Sequence, residues 1–280
     1  MKVIVTGGTG FVGNYIVKQL LQRGIDVIVT GTNIKEANCR DWFTKVDFIE
    51  LDINKPLTNV FKEKIASSDK LIHLIWSGLP NYKELHHFEK NLMPQYFFLK
   101  KVIELGLSDI TITGTCLEFG MQNGCLIADS FTDPQNPYAL AKDTLRKFLQ
   151  QLQQKIDFKL KWVRLFYMYG KGQSEKSILS QLEKSIEYGD QTFNMSGGEQ
   201  LRDYLPVSEV ARKIIEISLQ NEIDGLFNCC SGKPISIRKL VDNYLAENKT
   251  KVELNLGYYP YPDYEPMAFW GDNSNKLKNK

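Results

Sequence analysis

Short apolar runs rich in Val and Ile alternate with longer amphipathic stretches along the first two-thirds of the chain. Runs at 3–5, 26–29, 48–51, 71–75, 110–113 and 160–166 read as strands. Between them, apolar positions recur at helical spacing over 11–23, around 60, over 82–105 and over 137–154. Gly24 and Gly106 close the first and third of these helices. Strand–helix alternation repeated this often predicts an α/β fold with a doubly wound parallel sheet. The run Leu71-Ile72-His73-Leu74-Ile75 is nearly continuous in apolar side chains, as a strand covered on both faces requires.

Beyond Gly170 the pattern changes. Helical stretches at 177–188, 207–219 and 236–246 surround one predicted strand at 225–229. The segment 258–270 packs four Tyr, one Phe, one Trp and three Pro into thirteen residues, which suits a loop-rich wall or lid. The reading is therefore a domain over 1–170 and a smaller, mostly helical domain over 171–280, with segments near 205–230 returning to the first layer.

The first predicted strand runs into Thr6-Gly7-Gly8-Thr9-Gly10-Phe11-Val12-Gly13 and then into an amphipathic helix. Gly7, Gly10 and Gly13 form the pattern that lets a backbone turn tightly, approach a pyrophosphate and pack a helix closely on a strand. The helix N-terminus offers free N–H groups and a partial positive charge to the anion. This is the cradle of a Rossmann dinucleotide site. After the second strand stand Thr30-Gly31-Thr32-Asn33-Ile34-Lys35, with no carboxylate before Glu36. Thr32, Asn33 and Lys35 suit a ribose 2′-phosphate better than a bare hydroxyl, so NADPH is the expected cofactor and NAD the alternative.

Composition narrows the partners. The formal charge is +2 over 280 residues, with 24% charged and 42% hydrophobic side chains. A charge so near zero gives no electrostatic reason to expect nucleic acid or an anionic membrane. No apolar run approaches the roughly 20 residues that cross a bilayer. The first six residues already read as a strand, which leaves no room for a signal peptide. Five cysteines, two of them adjacent at Cys229-Cys230, show neither metal spacing nor an even framework. A reducing cytoplasm is expected. His73 reads as core and the His86-His87 pair as solvated, so no metal site or catalytic triad emerges.

The strongest chemical signal is a tyrosine four residues before a lysine. With 13 tyrosines and 28 lysines in the chain, chance alone yields about 1.3 such pairs, so context must decide. Three occur: Tyr96/Lys100, Tyr138/Lys142 and Tyr167/Lys171. Tyr167 and Lys171 straddle Gly170 at a strand end, and Tyr96 lies in a packing run. Tyr138 instead opens a helix behind Asn136 as N-cap and Pro137 in the first turn. Positions 138, 141, 145, 148, 149 and 152 form its apolar face, and Lys142 shares the side of Tyr138. A phenol titrates near 10, so an adjacent ammonium that stabilises the phenolate makes it a usable proton donor or acceptor at neutral pH. The fifth strand runs out into Gly114-Thr115, which puts the Thr115 hydroxyl at the edge where ligands gather.

Together these residues resemble the extended short-chain dehydrogenase/reductase superfamily, in its NAD(P)-dependent sugar-nucleotide epimerase/dehydratase branch. The resemblance spans nearly the whole chain. It assigns the nucleotide loop to Gly7, Thr9, Gly10, Phe11, Val12 and Gly13, further cofactor contacts to Leu74 and Ile75, and the adenine-contacting pair to Asp52-Ile53. It implies that Thr115, Tyr138 and Lys142 are catalytic, with Tyr138 and Lys142 also touching the cofactor. Arg164-Leu165-Phe166-Tyr167-Met168-Tyr169-Gly170 and Arg202-Asp203-Tyr204-Leu205-Pro206-Val207 resemble two further family segments. Arg202 is the implied diphosphate clamp, with Cys116 and Tyr167 beside the substrate. Cys116 and Leu117 stand where sugar-nucleotide 4,6-dehydratases carry an Asp-Glu pair, which argues against dehydration. Tyr167 replaces a family asparagine. The segments around Thr115 and Tyr167 look most like 4-keto-6-deoxysugar reductases such as CDP-abequose/paratose and dTDP-fucose synthases. The resemblance implies NADPH-dependent reduction of a nucleotide-linked 4-keto-6-deoxyhexose by a homodimer. A 4-epimerase with tightly held NAD and a non-catalytic cofactor sensor are the alternatives.

Overall fold

The computed structural model describes residues 1–274. Its strands are β1 (Lys2–Thr6), β2 (Asp26–Gly31), β3 (Asp47–Glu50), β4 (Lys70–His73), β5 (Asp109–Thr115), β6 (Gly124–Leu126) and β7 (Lys159–Leu165). They continue with β8 (Tyr167–Tyr169), β9 (Thr192–Asn194), β10 (Leu201–Pro206), β11 (Gly225–Cys229), β12 (Pro234–Ser236), β13 (Glu253–Asn255) and β14 (Phe269–Gly271). The helices are α1 (Phe11–Gln22), α2 (Ile34–Asn38), α3 (Asn59–Ala66), α4 (Met93–Glu104), α5 (Pro137–Gln153), α6 (Ile178–Tyr188), α7 (Val207–Leu219) and α8 (Ile237–Glu247).

Seven strands form one parallel sheet in the order β11-β7-β5-β4-β1-β2-β3. The order reverses between β1 and β4, and a crevice at the carboxyl ends of strands at such a point is where α/β sheets take ligands. Alternate residues of each strand feed the two faces. Ile4, Ile28, Leu71 and Ile110 pack under α3, α4 and α5 against Phe61, Phe98, Leu99 and Leu145. Val3, Val5, Val29 and Ile72 pack under α1 and α7 against Ile16, Leu20, Val210 and Ile214. α7 and the edge strand β11 thus belong to the sheet's own layers. α6 and α8 close a separate cluster around Leu182, Phe193, Met195 and Val241.

Two expectations need correction. The helix predicted over 82–105 starts only with a wide i→i+5 turn at His87–Leu92 that runs into α4. The carbonyls upstream are engaged elsewhere: Tyr82 O accepts the Tyr138 N–H at 3.2 Å, and Asn81 O accepts from His87 at 3.0 Å. The region beyond 170 was expected to hold a single strand, yet β9, β10, β12, β13 and β14 lie there too. Each of these pairs with a segment distant in sequence, such as β14 with β6 and β12 with β10. Local periodicity carries no record of such partners.

Candidate active site

The turn after β1 has the geometry that a pyrophosphate cradle needs. Gly7 sits at φ +73°, and a Cβ on Gly13 would lie 2.3 Å from Gly7 O and 2.7 Å from Gly8 Cα. Gly10 caps α1 with no side-chain hydrogen bond, leaving the first-turn N–H groups for an anion. The residues present therefore fit a dinucleotide. Gly7, Gly10, Phe11, Val12, Gly13 and Leu74 line a cleft of about 690 Å³. Ile75 abuts Gly7, its backbone N being 3.3 Å from where a Cβ would stand.

The residues expected on the adenosine side lie beyond that lining. Thr9 O accepts Arg40 Nη2 at 2.7 Å, a cation the sequence reading had passed over. Thr32 and Lys35 are exposed. Asn33 caps α2, its Oδ1 accepting from Lys35 N at 2.9 Å and Glu36 N at 3.3 Å. Asp52 accepts two bonds from Asn54, at 3.0 and 2.9 Å, and Ile53 packs on the core beneath the sheet.

Thr115, Tyr138 and Lys142 all line the cleft. Tyr138 is placed by the predicted cap: Asn136 Oδ1 accepts Ala139 N at 2.9 Å, with Pro137 in the first turn. The Thr115 side chain stands close enough to the Tyr138 phenol to influence its titration. Lys142 Nζ donates to Thr113 O at 2.9 Å and stands 4.2 Å from the centre of the Trp76 ring. Burial, then Tyr82, Glu118 and Cys116, raise the Tyr138 phenol well above its ordinary value, against a smaller lowering by Thr115. Desolvation pushes Lys142 down to about 7, partly offset by Glu118. The expected acidification of Tyr138 by Lys142 is thus not the dominant influence on that phenol. Burial outweighs it and favours the neutral form of both groups.

The turn carrying Thr115 is braced by an ion pair without solvent access. Glu118 accepts Thr115 N at 2.8 Å, Trp162 Nε1 at 3.1 Å and Arg164 Nε at 2.6 Å. Arg164 also donates to Ala128 O at 2.6 Å.

An aromatic wall that the sequence did not announce surrounds Tyr138. Ring centres of His87, Tyr82 and Trp76 lie 5.3, 5.4 and 6.0 Å from its own. Trp76 Nε1 donates to His87 Nδ1 at 3.1 Å, and His87 Nε2 donates to Asn81 O at 3.0 Å. His87, expected in solvent, is fully buried. The reason is that chain of donors and acceptors, which no helical pattern encodes. His73 is core, as read, and burial pushes it down to about 3. Its neutral ring accepts from Thr6 Oγ1 at 2.8 Å and donates to Gln95 at 2.6 Å, tying the end of β1 to α4.

Across the cleft, Arg202 is buried and held by Glu265. Its Nη2 and Nε reach Glu265 Oε2 at 3.0 and 3.3 Å, while Nη1 donates to Leu201 O at 2.9 Å and Met267 O at 3.3 Å. The guanidinium expected to face a diphosphate is therefore engaged within the protein. Asp203 takes no part, accepting instead from Ser231 N at 2.6 Å and Gly232 N at 2.8 Å. The Tyr167 ring packs 5.8 Å from the Arg202 guanidinium. Cys116 is buried, its thiol pushed far above the ordinary range by desolvation and then by Glu265. Arg202, Tyr167, Cys116, Tyr264 and Glu265 share the cleft lining. Among the described residues, no group of three or more His, Cys, Asp or Glu could hold a metal. None of their helices is long and apolar enough to cross a membrane.

Residues 3–230 match the model of the NAD dependent epimerase/dehydratase family. Over 272 residues the chain is 30% identical to a dTDP-6-deoxy-L-talose 4-dehydrogenase (NAD(+)) of Aggregatibacter actinomycetemcomitans, covering 97% of this chain and 99% of that protein. A UDP-N-acetylglucosamine 4-epimerase from Methanobrevibacter ruminantium superposes with a TM-score of 0.84 at 21% identity, covering 100% of this chain and 92% of that one. A UDP-glucuronic acid 4-epimerase from Bacillus cereus does so at 0.81 and 20%, covering 98% and 91%. The chain belongs to the NAD dependent epimerase/dehydratase family and is an NAD(P)-dependent oxidoreductase of the extended short-chain dehydrogenase/reductase type.

Proposed function

We propose that the protein reduces the C4 ketone of a nucleotide-linked 4-keto-6-deoxyhexose, with NADPH, in deoxysugar supply for cell-surface polysaccharide. The observation that carries this reading is that Thr115, Tyr138 and, one helical turn on, Lys142 line the same cleft as the glycine cradle. The end-to-end relative named as a sugar-nucleotide 4-dehydrogenase supports redox chemistry at C4. When bound, the cofactor supplies the hydride for the carbonyl carbon. Tyr138 gives its hydroxyl proton to the carbonyl oxygen as charge grows there, and Thr115 donates a hydrogen bond to the same oxygen. Donors fixed in advance at the site of growing charge are usually the largest catalytic contribution. Lys142 holds the nicotinamide ribose and places a cation beside the phenol.

The cofactor preference rests on the end of β2. Thr32 and Lys35 are exposed there, and the Arg40 guanidinium, paired with Glu36 at 3.2 Å, lies against the Thr9 carbonyl. We place the reaction in the cytoplasm, in keeping with five free cysteines. Met93 and Phe97, one turn apart on α4, are exposed, as are Leu140 and Phe148 of α5, and these apolar side chains are proposed as a homodimer face.

NADPH and NADH oxidation are followed with dTDP-, CDP- and GDP-4-keto-6-deoxyhexoses, for the wild type and Tyr138→Phe. One sugar nucleotide is expected to be reduced, with higher kcat/KM for NADPH. Tyr138→Phe is expected to lose roughly 100- to 10,000-fold in turnover while still binding cofactor. Equal or better use of NADH rejects the NADPH preference, and an unimpaired Tyr138→Phe rejects the mechanism. Interconversion of C4 epimers without net cofactor use identifies an epimerase instead.

A further inference from the structure

Lys142 is a buried ammonium whose two close neighbours are both uncharged. One is the Thr113 carbonyl, which accepts from Nζ at 2.9 Å, and the other is the face of the Trp76 indole at 4.2 Å. A buried cation is ordinarily matched by a carboxylate. Here the matching element is a π face, which attracts a cation through its quadrupole. The ring is itself fixed: Nε1 donates to His87 Nδ1, His87 donates to Asn81 O, and the indole packs edgewise on Tyr138 at an interplanar angle of 69°. Trp76 follows Ile75, the residue that abuts Gly7, so one short segment borders both the nucleotide turn and the lysine.

We propose that Trp76 is the positioning residue for Lys142, its indole face standing in for a carboxylate so that the buried ammonium stays charged and fixed against the Thr113 carbonyl. The substitution has a chemical rationale. A carboxylate in contact with Lys142 would add negative charge beside an anionic nucleotide. An indole face accepts no proton and carries no net charge. The inference rests on reading Lys142 as the partner of Tyr138 and cofactor, but Trp76's hold on the ammonium is measurable in the protein alone.

Desolvation already brings Lys142 down to about 7, so any loss of attraction changes its charge at neutral pH. The other titratable groups around it are Glu118 on the turn after β5, Tyr138 on its own helix, His87 behind the indole and His73 at the end of β4. Of these, Glu118 supports the charge. A desolvated cation–π contact corresponds to a shift of about one pH unit or more. Losing it would cut the ammonium fraction at pH 7 from about one half to about one tenth.

The test follows the ε-carbon resonance of Lys142 by NMR in protein made with 13C-labelled lysine, assigned by its absence in Lys142→Met. In the wild type its midpoint is expected near 7. Trp76→Leu is expected to lower the midpoint by about one unit, and Trp76→Phe by less, with most of kcat/KM recovered. Where Trp76→Leu does not fold, biosynthetic incorporation of tryptophans with successive ring fluorines keeps the shape and drains the π face. The midpoint should then fall stepwise with fluorination. A midpoint indifferent to fluorination, or unchanged in a folded Trp76→Leu, overturns the proposal. Because no substrate is present, a failed keto-sugar assay leaves this outcome standing.

Discussion

Arg202 illustrates how far one residue's role depends on its neighbour. A fixed, forked charge is the natural partner of a diphosphate, and the sequence around it points there. In the fold the fork is engaged by Glu265 from the aromatic, proline-rich segment near the C-terminal end. A diphosphate reaching Arg202 must displace that carboxylate. Glu265→Gln is therefore expected to lower KM for the nucleotide sugar by roughly threefold to tenfold, equivalent to about 0.7–1.4 kcal/mol. Steady-state kinetics at fixed cofactor check this, and an unchanged KM would assign the pair to structure alone. The pairing of Tyr138 with Lys142 in the cleft was legible because spacing and capping are local: Asn136, Pro137, Tyr138 and Lys142 lie within two turns. Trp76, His87 and Glu118 were not. Each acquires its role from a partner contributed by another segment, as Glu118 does from Trp162 and Arg164.

At the scale of elements, the turn after β5 shows why the last residue of a strand can hold a fixed position. Its Thr115–Glu118 capping box is reciprocal, the Thr115 side chain accepting backbone N–H while Glu118 takes Thr115 N. The Glu118 carboxylate then meets Arg164 of β7 with both side chains fully buried. Removing one partner of such a pair strands the other charge. Glu118→Gln is expected to destabilise the fold by about 3–5 kcal/mol, read by urea unfolding, and to reduce turnover through misplacement of Thr115. A pairwise replacement of Glu118 and Arg164 by apolar residues of similar size should recover most of the stability but not the turnover. The shortened 82–105 helix belongs to the same scale. Its first residues have apolar spacing suited to a helix, but the Tyr82 carbonyl and that of Asn81 just before it serve Tyr138 and His87.

For the molecule as a whole, the exposed side chains of Met93, Phe97, Leu140 and Phe148 set the expected assembly. Sedimentation should show twice the chain mass for the wild type, with Phe97→Glu shifting it to the monomer while the circular dichroism spectrum is kept. A wild-type monomer at tens of micromolar would remove the dimer.

What the chain's order of residues determined by itself was whatever a stretch of about twenty residues can encode: strand–helix alternation, the glycine turn, the cap of α5 and the spacing of Tyr138 and Lys142. These depend on backbone dihedrals and on side chains one or two turns apart, which neighbouring residues control. Tertiary structure alone decided that Glu265 closes on Arg202, that Trp76 faces Lys142, that His87 is buried and that short strands such as β14 and β6 pair. Those outcomes depend on which distant segments meet once the sheet has buried its two faces. Residue spacing in one dimension does not specify the electrostatic surroundings that such meetings create.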